Sequence, residues 1–183
     1  MPRPLLFLDV DGPLIPFGRS SGEYEHFTDT DLGNPLLARL DPRLGPRLLA
    51  LGCDLVWATT WLEDANEVVA PLLGLPQLPV LDFPEEDTSP GAHWKTRRIV
   101  EHAAGGPFAW IDDETTDTDR TWVAGHHPGP ALLVTVAAGT GLTGHDFELV
   151  ADWVSRVAQD ATCCAQPTKT HSCGCRHPSV IRD

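Results

Sequence analysis

Basic residues are scarce in this chain. Lysine and arginine together number 13 against 26 aspartates and glutamates, a formal net charge of −13. That balance excludes general electrostatic attraction to nucleic acid or to an anionic membrane, though not a local basic pocket. Long apolar runs are lacking as well, and none approaches the ~20 residues of a membrane-spanning helix. The start, Met1-Pro2-Arg3-Pro4, leads straight into a short apolar run. It has neither the longer apolar core nor the small-residue cleavage site of a signal peptide, so a cytoplasmic protein without a membrane partner is expected. No internal repeat stands out. Cysteine is missing between Cys53 and Cys163, and Cys53, just before an apolar run, reads as a small core residue.

What is present fits one well-buried domain. At 183 residues the chain is long enough for one and too short to expect two, and its six tryptophans suit a globular protein. The apolar runs Leu5–Leu8, Asp54–Ala58, Leu78–Leu81, 107–111 and Ala131–Val136 read as five strands. Between them, helical spacing of leucine and valine predicts helices near 46–51, 62–73 and 93–104, with a last helix capped by Thr143. Its apolar face is Phe147, Val150, Ala151, Val154 and Val157. Near-continuous apolar strands alternating with helices imply an α/β, Rossmann-like fold: a parallel sheet of about five strands with helices on both faces.

In such sheets chemistry collects at the carboxyl ends of the strands. Three strands end there in polar groups: Asp9 and Asp11 before Gly12, Thr59 and Thr60, and Asp112 with Asp113; Lys95 precedes the fourth strand. If the first strand stays extended, Asp9 and Asp11 share a face, and their repulsion calls for a cation or a shared proton. Carboxylates from two strand ends form an oxygen-rich cage suited to Mg²⁺. An ammonium and a hydroxyl add contacts to an anionic phosphoryl group, one carboxylate can act as nucleophile, and a second can move protons.

In order and spacing these groups resemble the four motifs of the haloacid dehalogenase-like (HAD) superfamily of Mg²⁺-dependent phosphohydrolases. They are Asp9-Val10-Asp11-Gly12, Thr59/Thr60, Lys95 and Asp112-Asp113, and the resemblance covers residues 4 to 160. More narrowly, Leu55-Val56-Trp57-Ala58-Thr59-Thr60-Trp61, Ala65-Asn66, Trp94-Lys95-Thr96 and Trp110-Ile111-Asp112-Asp113-Glu114 resemble a mostly actinobacterial subgroup related to HAD domains of RNA-repair proteins. Pro13 stands where that subgroup often carries an aliphatic residue. The resemblance implies that Asp9 is the nucleophile and Asp11 the general acid/base. It implies Mg²⁺ held by Asp9, the Asp11 carbonyl, and Asp112 or Asp113. Thr60 or Thr59 would bind the phosphoryl group, Thr60 being the better match, with Lys95 stabilising it and Asp117 supporting the site.

The segments after the first and second motifs are too short for a full cap domain. An open site of this kind implies a bulky phosphorylated partner, such as a polynucleotide end, beside small molecules; Arg97, Arg98, Trp61 and Trp94 are candidates to receive it. Phosphotransfer through the same residues, and a non-catalytic binding or regulatory module, are the alternatives. A response-regulator receiver is set aside, because its acidic pair precedes its lysine instead of following it. The stretch 161–183, with Cys163, Cys164, His171, Cys173, Cys175 and His177, is expected to be a disordered tail; its adjacent Cys-Cys and Cys-Gly-Cys pairs are not the usual zinc spacing.

Overall fold

The computed structural model describes residues 3–20, 23–28, 33–83 and 92–165. The acidic stretch 84–87 and the Cys/His residues from His171 to His177 lie outside them. Four parallel strands form one sheet: β1 (Leu5–Leu8), β2 (Asp54–Trp57), β3 (Phe108–Asp112) and β4 (Ala131–Thr135), in the spatial order β2-β1-β3-β4. The chain therefore has the expected α/β, Rossmann-like architecture, with four strands instead of five. The anticipated strand at Leu78–Leu81 makes only one bridge, Val80 to Trp57. Trp57 donates its N–H to the Pro79 carbonyl and accepts one from Leu81, but Pro79 has no N–H with which to extend a ladder. Asn66 holds this segment instead, since its amide oxygen accepts from Leu78 N and Trp57 Nε1 and its amide nitrogen donates to the Leu78 carbonyl.

The period-2 alternation of the strands divides the core in two. Leu6, Leu8, Ala109 and Ile111 face α1 (Leu44–Ala50), α2 (Ala70–Leu73) and α5 (Gly144–Ala165). Phe7, Val56, Phe108, Trp110 and Leu133 face α3 (Thr96–Ala103) and α4 (Asp117–His126) on the other side. Helices thus cover both faces, as near-continuous apolar strands require. A 3₁₀ turn, Pro35–Arg39, precedes α1, and a π-helical turn, Ala65–Val69, leads into α2. Helix α1 crosses α2 closely enough that a Cβ on Gly45 would sit 1.7 Å from the Leu73 carbonyl oxygen, so only glycine fits there.

One helix cap was legible and one helix was not. Thr143 does cap α5, with Asp146 completing a capping box. The buried face of α5 uses Phe147, Val150 and Trp153; Ala151 is exposed. The helix also continues past Gln159 to Ala165, into the stretch expected to be a tail. Helix α4 carries few apolar residues, yet Thr116 and Asp119 form a full capping box at its start. Among the described residues no further domain is inserted between the strands. Among those residues no helix is long and apolar enough to cross a membrane.

Candidate active site

Strand register builds the centre of the site. Leu8 pairs with Ile111 and the Asp9 N–H bonds the Ile111 carbonyl, so Asp9 and Asp112 leave adjacent strands side by side. Both lie in line with residues of the α3-facing core, Phe7 and Trp110. Lys95, the residue before α3, reaches in from that layer. Its Nζ stands 2.8 Å from Asp9 Oδ2 and 2.8 Å from Asp112 Oδ2. All three groups are buried, with Asp112 at 0%, Lys95 at 2% and Asp9 at 7% exposure. Asp112 also accepts from Trp110 Nε1 and from the Glu114 N–H, and Asp9 Oδ1 accepts from Val10 N.

Burial pushes the Asp9 carboxyl up from 3.8 to about 6, against the lowering pull of Lys95 and with a further upward push from Asp112. For Lys95, burial lowers the ammonium's pKa, but the charges of Asp9 and Asp112 outweigh it and raise it above the ordinary lysine value. The site therefore keeps its cation at all physiological pH while its foremost carboxylate is hard to ionise.

Gly12 brings the fourth motif close to the first. Its φ is +82°, and a Cβ there would lie 2.5 Å from Asp113 Cγ. Carboxylate oxygens of Asp9, Asp112 and Asp113 consequently come within 4.8 Å of one another. This hard, all-oxygen donor set fits Mg²⁺, and the clustering itself favours a cation. Burial, with the charges of Asp112 and Glu114, raises the Asp113 carboxyl above its ordinary value, which a bound cation would reverse. Gly12→Ala should destabilise the protein by about 1–3 kcal/mol from the backbone conformation alone. It should also swing Asp113 away, weakening Mg²⁺ binding; urea unfolding and titration calorimetry check the two effects, and unchanged affinity would show that Asp113 is not a ligand.

The Asp11 carboxylate is not part of that cluster. Strand β1 ends at Leu8, the chain bends at Val10, and the Asp11 carboxylate accepts a hydrogen bond from Trp61 Nε1 at 2.9 Å. Its side chain is thus outside the carboxylate cluster, and only its backbone carbonyl is left as the expected metal contact. Thr59 is fully buried, its Oγ1 accepting from Trp61 N at 3.4 Å, whereas Thr60 is exposed. Leu62, immediately after, has a φ of +48°, a conformation costly for a non-glycine residue. This strained turn fixes Trp61 against Asp11, a partnership across 50 residues that no local sequence signal announces.

The family model for the HAD domain in Swiss Army Knife RNA repair proteins matches residues 5–147. The chain belongs to that family. No curated protein and no solved structure gives a significant match. Proteins of the HAD class are in general phosphohydrolases that use Mg²⁺, and in this HAD domain Asp9 and Asp112 leave adjacent strands with Lys95 Nζ between them.

Other expected residues of the HAD site fall differently. Asp117 is fully exposed at the start of α4, 3.7 Å from Arg120 Nε, so it does not support the centre. The buried acid on that helix is Asp119. Arg97 pairs with Glu101, and Arg98 donates to the Asp82 carbonyl. Trp94 stays 37% exposed, edge-on to Phe83, with Lys95 Nζ 5.3 Å from its ring. His93, which sequence reasoning passed over, accepts from Lys95 N at Nδ1 and bonds Glu114 through Nε2 at 3.0 Å. A cleft of about 270 Å³ is lined by Pro13, Arg19, Tyr24, Arg39 and Gly141 among others, with Arg39 lying over the Tyr24 ring. None of Asp9, Asp11, Asp112, Asp113 or Lys95 lines it.

Proposed function

We propose that this HAD domain is a cytoplasmic, Mg²⁺-dependent phosphomonoesterase that works through an aspartyl-phosphate on Asp9. The observation that carries the reading is the buried Lys95 ammonium bridging Asp9 and Asp112, 2.8 Å from each. That arrangement places a fixed positive charge where a phosphoryl group would meet the Asp9 carboxylate. Asp9 attacks phosphorus, and the bond to the leaving oxygen breaks as Asp11 gives that oxygen a proton. Asp11 then takes a proton from water as the water attacks the aspartyl-phosphate, which releases phosphate and restores Asp9. Lys95 and a hydroxyl of the Thr59–Thr60 pair hold the phosphoryl oxygens. Asp9, Asp112, Asp113 and the Asp11 carbonyl would hold Mg²⁺, which when bound supplies neutralising charge for the phosphoryl oxygens.

For the substrate we propose a bulky phosphomonoester, a polynucleotide end above all. Two things support it: the family is that of RNA-repair proteins, and among the described residues no further domain is inserted between the strands. The charge of −13 argues for gripping an end at the site and against tracking along a backbone. The test is phosphate release with Mg²⁺ or with chelator from p-nitrophenyl phosphate, small sugar and nucleotide phosphates, and 5′- or 3′-phosphorylated oligoribonucleotides. Turnover of the whole panel no faster than by Asp9→Asn defeats the hydrolase reading. Phosphate that appears on an acceptor in place of water marks a phosphotransferase.

Trp61→Phe keeps an aromatic ring and removes the hydrogen bond that Nε1 donates to Asp11, worth about 0.5–3 kcal/mol. Its expected result is a kcat lower by roughly 10- to 100-fold with KM little changed, because Asp11 acts on the leaving group and not on binding. Steady-state kinetics check this, and an unchanged kcat removes Trp61 from the proton-transfer apparatus.

A further inference from the structure

We infer that Asp119 is the positioning residue for Lys95, a clamp that joins the loop carrying the lysine to the loop carrying the acidic pair. An α4 capping box needs only one of its oxygens: Oδ2 accepts from Thr116 N at 2.8 Å and from Thr116 Oγ1 at 2.7 Å. Oδ1 serves a different element. It accepts from His93 N at 2.5 Å and from Thr96 Oγ1 at 2.6 Å, the residues that flank Lys95.

One fully buried carboxylate therefore takes four donors, two from each side of the site. Although burial pushes the other way, those donors hold its carboxyl below the ordinary aspartate value. The start of α3 has no side-chain cap of its own, so Asp119 provides its anchoring. Thr116 lies four residues beyond Asp112, and Asp112 is the group to which Lys95 donates. Moving Asp119 thus moves the lysine backbone relative to its own acceptor. Asp119 has no place among the contacts of Lys95 Nζ; it acts through the backbone on either side.

The clamp rests on the catalytic reading of Lys95 only for its effect on rate. Asp119→Asn can satisfy one pair of donors but not both. It should lower turnover of p-nitrophenyl phosphate with Mg²⁺ by about 10- to 100-fold, the size of effect that a small misplacement has. In a Lys95→Met background, where there is no ammonium to place, the same substitution should change the residual rate by less than about twofold. An equal fold-loss in both backgrounds marks a merely structural role and overturns the inference.

A second readout needs no activity. The sequence has one other lysine, Lys169, so acetic anhydride labelling read by mass spectrometry has an internal reference. Lys95, 2% exposed, should label at least tenfold faster relative to Lys169 in Asp119→Asn than in the wild type, and an unchanged ratio overturns the clamp. Should Asp119→Asn fail to fold, Thr96→Val removes one Oδ1 partner and leaves the capping box whole. It should show the same increase in labelling, and its absence has the same force. Wild-type protein that turns over no substrate defeats the phosphatase reading alone, and the labelling ratio then decides the clamp.

Discussion

Asp9→Asn should abolish phosphate release and yet cost the fold little. Loss of the nucleophile lowers turnover by roughly 10³-fold or more. Stability follows a different logic, because the native environment opposes the charge on this carboxylate. Burial raises its pKa from 3.8 to about 6 in the folded protein, so between those values the native state binds the extra proton. Wild-type stability accordingly falls as pH rises through that window, and ionising Asp9 forfeits about 3 kcal/mol by pH 7. Asparagine carries no such charge. It does lose a hydrogen bond, since one amide oxygen cannot accept from both Val10 N and Lys95 Nζ, at about 1–3 kcal/mol. The two effects nearly offset at neutral pH. In chelator, the melting temperature of the variant relative to wild type should therefore rise between pH 4 and pH 7. A difference that stays flat across that range means Asp9 titrates normally in the fold.

That tension between stability and function at Asp9 was legible in outline. An apolar strand running into Asp-x-Asp-Gly, a second ending in threonines and a third ending in two aspartates identify the carboxyl edge of a parallel sheet, because side-chain polarity changes where the core ends. The lysine was legible by position only. What sequence could not show is how turns aim the side chains. Period-2 reasoning put Asp9 and Asp11 on one face only if the strand stayed extended, but β1 ends at Leu8 and Trp61, far along the chain, holds the Asp11 carboxylate. Motif spacing favoured Asp117 as a support, yet α4 begins at that residue, which leaves it in solvent and turns Asp119 inward. The Thr116-x-x-Asp119 capping pattern was the available signal for α4, and with only Val123 of its residues forming buried apolar core, the helix lacked the stripe that marks the others. The supposed strand at Leu78–Leu81 was an apolar run in which Pro79 lacks the N–H that a ladder needs; composition alone does not weigh a missing donor.

The other large effect belongs to Lys95→Met. A methionine fits the volume of the buried stem but leaves Asp9 and Asp112 facing each other with no cation between them. Breaking a buried ion pair from one side typically costs about 3–5 kcal/mol, and here two carboxylates lose the same partner. Activity should fall by about 10²–10³-fold through loss of a fixed charge at the phosphoryl oxygens. The stability loss should also be conditional, which distinguishes electrostatics from packing. Lowering the pH lets one carboxyl take a proton and relieves the repulsion, so the deficit against wild type should shrink as pH falls from 7 to 5. Mg²⁺ supplies the missing positive charge, so millimolar Mg²⁺ should raise the melting temperature of Lys95→Met by more than it raises that of wild type, in proportion to the tighter binding. Both follow from the same geometry, an ammonium 2.8 Å from two buried carboxylates. A deficit indifferent to both pH and Mg²⁺ would assign Lys95 to packing alone, and would leave the proposed chemistry without its central cation.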